Sequence, residues 1–170
     1  MWCGRVGSMD GHPRTCTCES CGAEGPLLDF GFQAPGCVWA LPPALRSPRN
    51  TKNFAELDER RFVRGLLPIR LTSGEEFRVG VWLEVASDVF DDIFESWDDN
   101  TRYPQLQFVA TIANAAPPWR EKILGVEVHV GVRDQNSRPY VIASHTAWLQ
   151  QVLERGWTDA EYDAVIASIG

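Results

Sequence analysis

The sequence predicts an α+β fold: a mostly antiparallel sheet with a central hairpin, helices packed on it, and a Cys-containing, knuckle-like loop near the N-terminus. Three observations predict it. Two alternating apolar runs flank Thr72-Ser73-Gly74, further Val-rich alternating runs follow, and amphipathic helical patterns stand between and after them. Alternation with period two marks half-buried strands, and a period of 3.6 marks helices. That mixture, without regular βαβ repetition, builds helices onto an antiparallel sheet. The chain has 170 residues and is 44% hydrophobic, enough for a core of its own. Residues 15–170 are therefore read as one domain after a flexible leader at 1–14, within which Met9 offers a second start.

The first feature in chain order is "TCTCESCGAEG", which packs Cys16, Cys18 and Cys21 into six positions; Cys37 closes the loop segment 15–37. "LLDFGF" is a short strand ended by "QAPG". Residues 35–50 hold Pro35, Pro42, Pro43 and Pro48, so they read as loop with at most one helical turn, placed at Trp39 to Leu45.

The hairpin follows in "RRFVRGLLPIRLTSGEEFRVGVWLEV". A three-residue loop with Gly74 in the left-handed position pairs Arg70 with Glu76, Pro68 with Arg78, Leu66 with Gly80, Arg64 with Trp82 and Phe62 with Glu84. The opposite face then carries Val63, Leu67, Ile69, Phe77, Val79, Val81, Leu83 and Val85. A slip of one residue would bring Arg64 and Arg70 into that apolar face, so hydrophobic matching selects the register. It also predicts the Arg64 guanidinium lying across the Trp82 ring.

"SDVFDDIFESWDD" is an amphipathic helix with Ser87 as its expected N-cap; Phe90, Ile93, Phe94 and Trp97 share one face. "LQFVATI" and "LGVEVHVGV" are strands, the second with its valines inward and Glu127, His129 and Arg133 outward. Ser144 is expected to cap a helix carrying Trp148, Leu149, Val152 and Leu153, with Gly156 ending it. Thr158-x-x-Glu161 has the form of a capping box, with Trp157 and Tyr162 as its staple.

Composition excludes some functions. The net charge is -7 and the basic residues are scattered, densest at Arg60, Arg61 and Arg64, which argues against nucleic acid as a partner. No apolar run is long enough to cross a bilayer, so no membrane is expected either. The N-terminus lacks a charged stretch followed by an apolar one, which points to a cytoplasmic chain with reduced thiols. No Gly-x-Ser-x-Gly, Walker, Gly-x-Gly-x-x-Gly or His-Glu-x-x-His motif is present.

Cys18-x-x-Cys21 has the spacing of half a zinc knuckle, since two thiolates from one tight turn can share a tetrahedral ion. The zinc reading takes Cys16, Cys18, Cys21 and Cys37 as ligands, with His12, His129 and His145 as further candidates. The other readings are a loop of free cysteines and, against the placement of the pair, a redox motif. The acidic runs Asp91-Asp92 and Asp98-Asp99 fall on or just after the polar side of a helix and read as solvated surface.

At "FVRG", followed by "PI", "F-x-x-G-V-W" and a helix with Phe and Trp, the chain resembles the bacterial domain-of-unknown-function family 2199. "C-E-S-C-G" with "DFGFQAP" upstream, and Arg138-Pro139 with "SHTAWLQQVLERGWT" downstream, extend the resemblance over roughly 16–158. The resemblance implies no activity. It also implies a His soon after the Cys pair and a Cys ahead of the hairpin, and those neighbourhoods here hold Gly25 and Phe54. Either Cys16 and Cys37 take over, or the metal has been abandoned. The function expected is a non-enzymatic protein-interaction domain binding a protein partner through Arg64 and Trp82, with a structural zinc site. The alternative is a metal-assisted enzyme using the Cys cluster with His129 or His145.

Overall fold

The computed structural model describes residues 47–169 throughout; before them it describes residues 35, 37, 38, 41, 42 and 44, and the backbone of 15–17, 24–26, 29, 30, 36 and 39. Strands β1 (Thr15–Thr17) and β2 (Glu24–Pro26) pair antiparallel, with Cys16 opposite Gly25. The strand expected in "LLDFGF" is β3 (Asp29–Phe30). An α-helical turn of the Pro-rich segment, α1 (Gly36–Trp39), comes earlier than the expected Trp39 to Leu45, and within that range Ala44 is in a 3-10 conformation. Pro42 and Pro43 explain the shift, because the residue before a proline is disfavoured in the helical region.

Strand β4 (Phe54–Leu57) turns through Asp58 and Glu59 into the long β5 (Arg60–Arg70). Asp58 takes the positive φ of 52° that this two-residue turn needs, a conformation a short polar side chain tolerates. Strand β6 (Glu76–Val85) then pairs with β5 in the register expected from the sequence, Arg64 opposite Trp82 included. Gly74 has φ +91°, and the loop is closed by Leu71 N–H donating to the Glu75 carbonyl at 2.8 Å and Gly74 N–H donating to the Leu71 carbonyl at 2.9 Å. The hydrophobic match that selects this register is visible in the burial: Val63, Leu67, Ile69, Phe77, Val79, Val81, Leu83 and Val85 are all buried.

Helix α2 (Ser87–Ser96) begins at its expected cap, one residue earlier than foreseen. Ala86 precedes it without a capping side chain, and the Ala86 carbonyl accepts from Phe90 N–H at 2.9 Å, so Ser87 is already helical. Strands β7 (Gln107–Ile112), β8 (Glu127–Gly131) and β9 (Tyr140–Ser144) form a meander. Helix α3 (Ala147–Arg155) follows, and Ser144 does not cap it. Ser144 ends β9 instead: its hydroxyl donates to the Glu127 carbonyl at 2.8 Å and accepts from Thr146 N–H at 3.1 Å. Helix α4 (Asp159–Ile169) closes the chain behind the capping box as expected. Thr158 Oγ1 accepts from Glu161 N–H at 3.2 Å, and the Glu161 carboxylate accepts from Thr158 N–H at 2.8 Å.

The sheet closes on itself as a small barrel. β5 pairs with β6, β6 with β7, β7 with β8, β8 with β9, and β9 returns to β5 in parallel at Tyr140 and Leu66. The two long strands each share an outer edge between two neighbours. β5 gives its first half to β4 and its middle to β9; β6 gives its end to β7 and its start to β3, in parallel. Valines of β6 and β8 fill the interior with Leu67, Ile69, Phe77, Phe90, Ile93 and Leu149. Each such side chain contributes roughly 1.5–3 kcal/mol by leaving water. Phe77 also receives Trp157 at 5.8 Å and Tyr162 at 5.4 Å between ring centroids, which fastens the last helix to the hairpin.

Candidate functional site

Arg64 lies where the edge of β5 changes hands. β4 leaves after Val63 and β9 arrives at Leu66, so the backbone between them bonds to the flanking loops. Arg64 N–H donates to the Asn53 carbonyl at 2.8 Å, and Leu66 N–H donates to the Pro139 carbonyl at 2.9 Å. Arg138 Nε donates to Asn53 Oδ1 at 3.0 Å. The two motif segments "FVRG" and Arg138-Pro139 therefore meet here. Gly65 makes the meeting sterically feasible, because a Cβ on it would stand 3.1 Å from the Pro139 oxygen and 2.4 Å from Leu83 Cδ1. Part of that motif is thus packing.

The guanidinium of Arg64 is another matter. It is half-buried, burial pushes its pKa below the ordinary value, and among the described residues no acceptor or carboxylate meets it. Its neighbours on the hairpin are all engaged. Arg60 grips Glu84 with two bonds of 2.9 and 2.7 Å and lies over the Phe62 ring at 4.9 Å. Arg61 meets Glu56 at 3.2 Å and donates to the Asp58 carbonyl at 2.7 Å. On this hairpin a guanidinium lies over an aromatic ring at Arg60 and Phe62.

Trp82 is only 1% exposed. It sits in a small cluster with Val38, Ala55 and Phe62, against which Cys37, Leu57 and Ala113 pack. At this register position Arg64 is half-buried and Trp82 is buried. Cys37 is a half-buried free thiol at the edge of the same cluster, so one proposed metal ligand lies beside the Arg64 face. Cys18 and Cys21 lie outside the described residues, and Cys16 is described by its backbone alone, opposite Gly25. Among the described residues, no group of three His, Cys, Asp or Glu side chains surrounds a common point.

His129 and His145 were expected as separate candidates, each joined to the cysteines; the structure joins them to each other. Their Nε2 atoms are 3.0 Å apart and their rings meet edge to face at 77°. One feature gave no signal in the sequence. A cleft of about 420 Å³ is lined by Leu41, Ala44, Ser47, Glu56, Leu57, Asp58 and Arg61. Its carboxylate, Glu56, is held by Arg49 at 3.1 Å, by Arg61 at 3.2 Å and by the Ser47 hydroxyl at 2.5 Å. A carboxylate with three partners ties the loop before β4 to the hairpin.

No curated protein and no solved structure matches this chain. One family profile does, over residues 17–154, which takes in the hairpin, Asn53, Arg64, the Arg138-Pro139 pair and both histidines. On that match the chain belongs to the DUF2199 family, described as an uncharacterized protein conserved in bacteria.

Proposed function

We propose that this chain is a non-enzymatic cytoplasmic interaction domain whose docking face centres on Arg64, where a protein partner seats a carboxylate. The observation that carries this reading is the half-buried Arg64 guanidinium, which meets no acceptor among the described residues, on a strand where Arg60 and Arg61 are paired. A desolvated, uncompensated cation raises the free energy of the unbound protein, and a carboxylate brought to it removes that cost. Trp82 contributes as the buried floor of the face. Cys16, Cys18, Cys21 and Cys37 form a structural zinc knuckle beside it. Two features favour that second part: β1 and β2 bracket Cys18-x-x-Cys21 as the two arms of a hairpin, and Cys37 stays a free thiol next to the Trp82 cluster.

A photo-crosslinking amino acid at Lys52, next to Asn53, tests the docking face in living bacteria. A discrete protein adduct is expected, lost with Arg64→Glu and kept with Arg120→Glu, a surface control. An adduct that survives Arg64→Glu would sink the assignment. The knuckle is tested by elemental analysis of freshly purified protein: about one zinc per chain is expected, lost in Cys18→Ser and in Cys21→Ser.

A further inference from the structure

We infer that His129 and His145 form a surface site for a tetragonal divalent transition ion of the Cu(II) or Ni(II) type, independent of the cysteines. The argument starts from a β-bulge. Between Gly131 and Val130 the β8–β9 ladder pairs Gly131 with Tyr140 and Val130 with Val141; past the bulge it pairs His129 with Ala143 and Val128 with Ser144. The extra residue, Ile142, shifts the phase of β9 by one. Without it, Ser144 would point outward and His145 toward the barrel interior. With it, Ser144 turns in and is buried, while His145 comes out on the same face as His129.

The partner directly across from His129 is Ala143, whose small side chain leaves the diagonal open. The two imidazoles use that space and bring Nε2 to Nε2 at 3.0 Å. The face around them is open: Val109, opposite His129 on β7, is 47% exposed, and Ile142 is 41% exposed. Histidine nitrogens bind such ions at about 2.0–2.1 Å, so a 3.0 Å separation corresponds to an angle at the metal of about 91–97°. That is the cis angle of a tetragonal ion. Tetragonal nitrogen–oxygen sites select Cu(II) and Ni(II).

In the free protein one ring donates its Nε2 proton to the other. On binding, that proton moves to Nδ1 of the same ring, so both Nε2 lone pairs face the ion. No third ligand of the His, Cys, Asp or Glu type completes the site among the described residues, and water fills the remaining positions.

The test uses the full chain titrated with Cu(II) or Ni(II) alone, following the imidazole C–H resonances of the three histidines. Substoichiometric ion is expected to broaden His129 and His145 together and to spare His12. His129→Ala and His145→Ala are each expected to weaken this binding by roughly 10²-fold, the loss of a two-point attachment. The double variant should be no worse than either single one, and His12→Ala should bind as the parent does. Circular dichroism confirms that each variant folds. Broadening confined to one histidine, or binding unmoved by both single variants because the thiols hold the ion, would overturn the inference.

Discussion

Gly156 stands so close to the Arg70 carbonyl that a Cβ on it would lie 2.2 Å from that oxygen. The next residue, Trp157, donates its N–H to the same oxygen at 2.8 Å. The end of α3 is thus pressed onto the tip of the central hairpin, with φ at +72° and ψ at -161°, a region almost closed to residues with a side chain. Gly156→Ala is expected to destabilise the fold by about 2–4 kcal/mol, combining backbone strain with displacement of Arg70. Urea denaturation measures it. A loss below about 1 kcal/mol, the ordinary scale for one mutation, would mean that the helix junction moves freely.

Trp82 and Arg64 face each other in register but differ in what they do. Trp82→Ala is expected to cost about 3–5 kcal/mol, the range for a buried aromatic removed from a packed cluster. Arg64→Met should leave the denaturation midpoint unchanged or higher, because it replaces a desolvated cation that meets no acceptor among the described residues with an apolar chain. A large fall with Arg64→Met would assign Arg64 a structural bond instead of a docking role.

Glu161 accepts from Arg155 at 2.7 and 2.9 Å and from Thr158 N–H, and these bonds hold its pKa down at about 2, from an ordinary 4.5. A depressed carboxylate pKa contributes stability that is present above 4.5 and is lost as pH falls toward 2. Glu161→Gln should therefore lower the melting temperature at neutral pH, with the difference from the parent shrinking across that acid window. Equal differences at both ends would show that the charge is irrelevant to the cap.

The Tyr103 hydroxyl donates to the Ser137 carbonyl at 2.9 Å, and burial pushes its pKa well above the ordinary 10.0. The folded state therefore favours the neutral phenol, and that contribution is full below pH 10 and lost as the pH rises beyond it. Alkaline titration by tyrosinate absorbance should contain a late component that is missing in Tyr103→Phe. The same variant should lose about 1 kcal/mol at neutral pH, the usual net worth of such a bond.

The hairpin was legible because its signals agree. Gly74 at the turn, the alternating valines and the two arginines that cannot be buried all choose one register. The capping box at Thr158 and Glu161 was legible for the same reason, being local. Strands β4 and β9 were not. "FAEL" is too short to show a period, and "YVIAS" carries a bulge that puts Ile142 and Ala143 on one side in succession. The barrel closure depends on β9, so it was hidden with it. The helix starts failed by one or two residues, because serines at 87 and 144 compete with backbone geometry that Ala86 and Thr146 settle. Of the candidate site, Arg64 was found by register alone. Its missing counter-charge, the burial of Trp82 and the meeting of the two histidines depend on chain segments far apart in sequence.

The clasp of the barrel joins Leu66, in the first half of the chain, to Tyr140, close to its end. During synthesis β5 and β6 leave the ribosome long before β9 exists, so the middle of β5 waits with unpaired backbone groups. A waiting sheet edge is an invitation to pair with another nascent chain. Arg60 and Arg61 at the start of this strand, and Arg64 beside the gap, put three positive charges along it through that interval. Arg64, on which the proposed docking face centres, stands on that same edge.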